Sequence, residues 1–243
     1  MIIHENNTWY SPLRPFNTVE VLQNKYGMAV EVIDKRFKKL KEARVLGVGA
    51  LVLASLQETF NPTYIQLNPN DPPDGFILRQ LPEKRGHIGI LNVEITGFNG
   101  ETPETLYEQL VRTKKLLEQP LLDEKDIILV DLRTDSKVDF DCIYDFLKRT
   151  KSQFPIIAVK PAKNEKGDTI ARTTVVYPGK GSVFSKDINI GHMAFQYSQN
   201  KISPAVFTKR TGSIKNVRQE ETNEKPPKPI WELEIERILG QIL

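Results

Sequence analysis

The 243-residue sequence predicts an α/β fold with a mixed central sheet flanked by helices, and three observations carry that expectation. Two strongly apolar runs, residues 126–132 and 155–159, are too apolar and too short to be anything but buried strands. Segments of helical periodicity, residues 104–117 and 140–149, separate these runs from each other and from an earlier strand-like run at 90–96. The resulting order, strand, strand, helix, strand, helix, strand, belongs to a mixed sheet with a central parallel pair, covered on both faces. A hydrophobic fraction of 39% supplies an ordinary packed core and excludes global disorder.

Taken in order, residues 8–17 carry Trp9, Tyr10, Pro12, Pro15 and Phe16 and read as an extended arm packed by its aromatics. A helix is expected from Thr18 towards Arg44, with Val21, Met28, Val32 and Phe37 at apolar positions. Lys35, Arg36, Lys38, Lys39 and Lys41 form its solvated charged end. Residues 45–60 form a second helix, apolar nearly all round and therefore buried, with Glu58 at its polar end either an exposed last-turn glutamate, the favoured reading, or a further acid for a site. Asn61-Pro62 terminates it, because proline disfavours helical geometry in the residue before it.

Residues 64–67 then suggest a short strand leading into a turn cluster at 68–73. After the strand at Phe76 and Ile77, a charged, turn-forming stretch at 81–89 leads to the strand at 90–96. Past a break at 97–100, Thr102 is expected as a helix N-cap and Pro103 as the first helical residue, with Tyr107, Leu110, Val111 and Leu117 facing a core.

Beyond Val159, residues 163–168 read as a hairpin turn, 169–177 as a β-branched strand, and 193–197 and 205–209 as further strands. The run Pro178-Gly179-Lys180-Gly181-Ser182 lacks the spacing of a phosphate-binding P-loop. Residues 219–229 are charged and proline-rich, hence a linker. The tail from Trp231 presents Ile235, Ile238 and Ile242 on one helical face, for docking on the body or on a second subunit of a homodimer. These readings divide the chain into an N-terminal arm and helices (1–60), an α/β core (61–162), a basic β-rich extension (163–218) and a linker with a C-terminal helix (219–243).

Several classes are excluded. No run approaches the ~18 apolar residues of a membrane span, so no membrane partner is expected. The first seven residues show no signal-peptide pattern, which points to a cytoplasmic protein. Cys142 is the single cysteine, and His4, His87 and His192 share no ligand spacing, so a Cys-based zinc site is not expected.

Asp74 and Glu94 stand out because each interrupts an apolar strand, and a buried carboxylate is costly unless it is paired or binds a metal. If the two strands pair as a hairpin, these acids converge, and the carbonyl of Ile95 is a natural third oxygen. An all-oxygen set of this kind suits Mg²⁺ (or Mn²⁺). Period-two alternation equally allows a hairpin whose acids face outward. Residues 160–218 carry eleven Lys or Arg against three acids, with Lys160, Lys209 and Arg210 as candidate phosphate contacts. Such a segment is either a grip for nucleic acid, with DNA the expected form, or an ordinary solvated surface. Asp131, ending an apolar strand, is placed either as an accessory ligand or substrate contact at the strand's carboxyl end or, the better reading, as a cap for the loop at 133–136.

Pro73-Asp74, then Glu94-Ile95-Thr96, then a helix and a strand resemble the restriction-endonuclease-like PD-(D/E)xK superfamily. The resemblance covers roughly residues 51–160 and lies more in element order than in letters. It implies a restriction-endonuclease-like core and a metal-dependent endonuclease that hydrolyses phosphodiesters, with Asp74 and Glu94 as metal ligands. Thr96 stands where the family has lysine, and a hydroxyl supplies no positive charge. Gln109 and Lys114, on the following helix, are the local candidates for the migrated role. The alternative is a catalytically degenerate module that binds nucleic acid or a protein partner.

Overall fold

The computed structural model describes residues 8–56, 60–69, 73–80, 88–100, 105–110, 126–133, 138–149, 154–177, 181–210, 217–220 and 226–240. The chain is α/β and forms two compact units, Met1–Ile90 with Ala194–Leu243, and Leu91–Met193.

In the first unit, β1 (Thr8–Tyr10) is a buried strand rather than only an extended arm. It pairs antiparallel with β2 (Thr63–Leu67) on one side and with β9 (Ala205–Arg210) on the other. β3 (Gly75–Gln80) and β10 (Val217–Glu220) extend the order to β10-β9-β1-β2-β3, antiparallel throughout. Trp9, Tyr64, Phe76, Leu78 and Val206 form one core cluster on it.

The helices of this unit break at other places than the periodicity suggests. Instead of one helix from Thr18 towards Arg44 and a second from Val45, there are three: α1 (Arg14–Tyr26), α2 (Val30–Arg36) and α3 (Lys38–Ser55). Gly27 closes α1 in the left-handed conformation (φ 63°), its N–H donating to the Gln23 carbonyl at 2.9 Å, a geometry glycine adopts without steric cost. Phe37, fully buried, leaves helical geometry between α2 and α3. α3 packs on β2 and β3, and Thr63 ties β2 to it by donating its hydroxyl to the Ala50 carbonyl (2.9 Å).

The C-terminal helix α7 (Ile230–Gly240) is held to this unit by three different contacts. Trp231 is fully buried, edge-on to Tyr10 with ring centroids 5.6 Å apart. Arg14 binds both Glu232 carboxylate oxygens, at 2.7 and 2.9 Å. Glu234 accepts the Lys39 backbone N–H at 3.0 Å, which supplies the first turn of α3 with the cap that its own N-terminal residues do not provide.

In the second unit the strand order is β4 (Ile88–Phe98, entering this unit at Leu91), β5 (Asp126–Leu132), β6 (Ile156–Lys163), β7 (Thr169–Tyr177) and β8 (Ser182–Asn189). β4, β5 and β6 are parallel, as the two strongly apolar runs require, and β6, β7 and β8 are antiparallel. The sheet is therefore mixed. Of the helix expected after β4, the described part is α4 (Leu106–Glu108), capped by Thr105 in a reciprocal box with Glu108; Thr102, Pro103, Val111 and Leu117 fall outside the described residues. The turn at 163–168 is a hairpin, with the Asn164 side-chain oxygen accepting from the N–H groups of Lys166 and Asp168. α5 (Phe140–Arg149) buries Ile143 and Leu147 against the sheet, in a cluster with Phe98, Leu110, Ile128, Val130, Ile156 and Val176.

Residues 193–197 are not a strand. They belong to α6 (Ile190–Gln199), which opens in the second unit and continues in the first. The buried positions Ile190, Met193 and Tyr197 recur every three or four residues, the helical period, and Asn189 caps the start by accepting the His192 N–H at 2.9 Å. Among the described residues, no helix is long and apolar enough to cross a membrane.

Candidate functional site

Register and core packing sort the second unit's polar residues onto two faces. Glu94, Thr96 and Phe98 of β4 stand beside Ile128, Val130 and Leu132 of β5. Phe98, Ile128 and Val130 pack in the cluster beneath α4 and α5, so Glu94 and Thr96 belong to the helix-covered face. Lys160 shares that face, because Val130 is in register with Ala158 two residues before it. Ile95 and Gly97 belong to the opposite face, beside Leu129 and Asp131.

Glu94 is half-buried, and Thr96 is 3% exposed. From the residue after α4, Gln109 reaches back to the same strand. Its side-chain N–H donates to the Gly97 carbonyl at 2.7 Å and lies 3.5 Å from the Thr96 hydroxyl oxygen. The amide is thus fixed beside Thr96. An amide stays neutral at ordinary pH; with its N–H groups spent on the strand, its carbonyl oxygen can accept a hydrogen bond and orient a water.

Asp74 lies in the first unit, one residue ahead of β3, half-buried, and its carbonyl accepts the Asn68 N–H (2.9 Å), closing the β2–β3 connection. Lys160 is half-buried on β6. Lys209 and Arg210 lie on β9, where Lys209 is in register with Arg218 of β10. Lys114 and Glu58 fall outside the described residues.

Among the described residues, no three His, Cys, Asp or Glu side chains gather as a metal cluster. Of the residues expected as ligands, the Glu94 carboxylate and the Ile95 carbonyl lie on this strand. Both are hard oxygens. They fit Mg²⁺, which keeps several waters and takes one or two protein carboxylates, and they do not fit a dedicated zinc cage.

One arrangement escaped the sequence reading. Asp131 is 5% exposed, and its carboxylate accepts from Arg133 Nε at 2.9 Å. The Arg133 backbone N–H donates to the Phe98 carbonyl at 2.8 Å, and the guanidinium lies over Gly97, in register with Asp131. The signal available in the sequence is the spacing Asp131-x-Arg133, which puts both side chains on one face at a strand end.

No family model matches the chain, and no curated protein matches it.

Proposed function

We propose that the chain is a nuclease-like protein that hydrolyses nucleic-acid phosphodiester bonds with Mg²⁺ or Mn²⁺. The observation that supports this reading best is Gln109: a polar side chain from the following helix is anchored on β4 beside Thr96, the position that lacks the family's lysine. Glu94 and the Ile95 carbonyl would hold the cation in the second unit. When bound, such a cation lowers the pKa of its water and offsets charge on the leaving oxygen. Gln109 orients that water through its amide oxygen and does not take its proton. Lys160, Lys209 and Arg210 hold backbone phosphates.

Cleavage of DNA and RNA with Mg²⁺ or Mn²⁺ tests the reading. Wild type cleaves and EDTA stops it. Glu94→Ala abolishes cleavage, and Gln109→Ala slows it about 10²-fold, the order expected when a reacting group is misplaced. Inactivity of wild type on every substrate with both metals refutes it.

One observation favours the second reading, a non-catalytic module that binds nucleic acid or a protein partner. Thr96 is buried and brings no cation to the strand. A wild type that binds nucleic acid and never cleaves is the result that reading requires.

A further inference from the structure

We infer that Arg133 is a phosphate-binding arginine, held in place by Asp131 and by the bare backbone of Gly97, and that it takes a backbone phosphate of the nucleic acid. The identity of the ligand rests on the nucleic-acid reading above, whereas the pre-set guanidinium is a property of the second unit itself.

Four features build it. Asp131 is buried at the end of β5 and takes the Nε edge of the guanidinium at 2.9 Å, which fixes the plane of the fork. The backbone of Arg133 is fixed as well, by its N–H bond to the Phe98 carbonyl. Gly97 supplies the space: a Cβ at that position would lie 2.9 Å from Arg133 Nη2 and 3.2 Å from Cζ, so any other residue there would displace the group. The side chain is nevertheless 52% exposed, and Asp131 is its acceptor among the described residues, so four of its five N–H donors remain for a ligand.

Resting on the strand, the guanidinium loses little further rotamer freedom when it binds, and a planar fork matches the oxygens of a phosphate. Its place also fits. Gly97 and Asp131 stand at the carboxyl ends of parallel strands, the edge at which open α/β sheets receive ligands. Gly97 serves both groups at once, since its carbonyl anchors Gln109 and its missing side chain admits Arg133.

The test is anisotropy of a fluorescein-labelled 16-base-pair DNA duplex with the full chain in EDTA, titrated at several salt concentrations. Arg133→Ala should weaken binding about tenfold and lower the slope of log K against log salt by about 0.9, one phosphate contact. Gly97→Ala should weaken binding several-fold although every charge is retained, because the Cβ takes the guanidinium's place. Arg133→Lys should keep the slope and lose most of the affinity, since an ammonium does not reproduce the fork. Circular dichroism of each variant, with an unfolding curve, checks that the fold is kept.

Binding by Arg133→Ala and Gly97→Ala equal to wild type overturns the inference, and so does a wild type that binds no duplex at low salt. The nuclease reading is decided separately, by cleavage with Mg²⁺. Arg133-dependent binding without cleavage keeps this inference and removes that reading. Cleavage that is unaffected in Arg133→Ala does the reverse.

Discussion

Trp231 offers the most direct measure of how α7 is held. The side chain is fully buried, sits edge-on to Tyr10 at 5.6 Å, and lies next to Glu232, whose carboxylate binds Arg14. Truncation to alanine removes a large apolar surface and leaves a cavity, at a cost of about 3–5 kcal/mol. That is a large share of the roughly 5–15 kcal/mol by which a domain is stable. With a urea slope of about 2 kcal/mol per molar, the unfolding midpoint of the first unit falls by about 1.5–2.5 M. Trp9, the other tryptophan of the chain and part of the same unit, reports the transition by fluorescence. Trp231→Phe separates packing from polarity. The indole N–H is buried with no acceptor among the described residues, and removing an unsatisfied donor returns about 1–3 kcal/mol. Phenylalanine keeps an aromatic ring against Tyr10, so its net cost is about 1 kcal/mol or less. A shift for Trp231→Ala under about 0.5 M, or a phenylalanine variant as unstable as the alanine variant, refutes this account of α7.

Three further outcomes follow from other groups. Glu234→Ala uncaps the first turn of α3 and costs about 1 kcal/mol in the same urea assay, and Glu234→Gln recovers part of it; equality of Glu234→Ala with wild type refutes the cap. Burial pushes the Tyr10 hydroxyl up to about 12, Arg14 opposing and Glu232 assisting the shift. The folded state therefore keeps its proton after the unfolded chain has lost it, so the contribution of Tyr10 is complete below about pH 10 and is lost between about 10 and 12; a Tyr10→Phe variant with the same alkaline profile refutes this. Reversal of charge at Lys209 and Arg210 should weaken duplex binding about equally for all sequences and lower its salt slope; an unchanged slope makes β9 an ordinary surface.

The parts of the fold that were legible in the sequence are those in which one local pattern has one structural meaning. Ile127 to Val130 and Ile156 to Val159 are continuous apolar stretches, and they are buried strands of a parallel set. Asn164 to Asp168 carries its own turn chemistry and closes a hairpin. Elsewhere a pattern had two meanings. Val21, Met28 and Val32 keep a helical spacing across Gly27, so periodicity alone joins helices that the backbone separates. In 193–197 a short apolar run was consistent with a strand, and only its extension to Ile190 and the Asn189 cap reveals the helical period. β8 was missed because Ser182, Ser185, Lys186 and Asp187 dilute its apolar character, which a strand paired on one side with β7 tolerates.

The candidate site divides in the same way. Glu94, Thr96 and Gln109 could be named from residue type and order, because a carboxylate within an apolar strand and a polar residue on the next helix are local features. Gly97 could not. As a sequence feature it marks only the end of a strand, and its meaning depends on two residues brought to it from different directions. Gln109 reaches its carbonyl from 12 positions away in the chain, and Arg133 covers it because β4 and β5 are paired in the register that sets Gly97 beside Asp131. No local pattern encodes that register. A single methyl group at this position would push on the guanidinium directly and leave the carbonyl that holds the amide in place, so Gly97→Ala separates the two roles: the effect on duplex binding belongs to Arg133, and cleavage chemistry that depends on Gln109 should survive it once substrate is saturating.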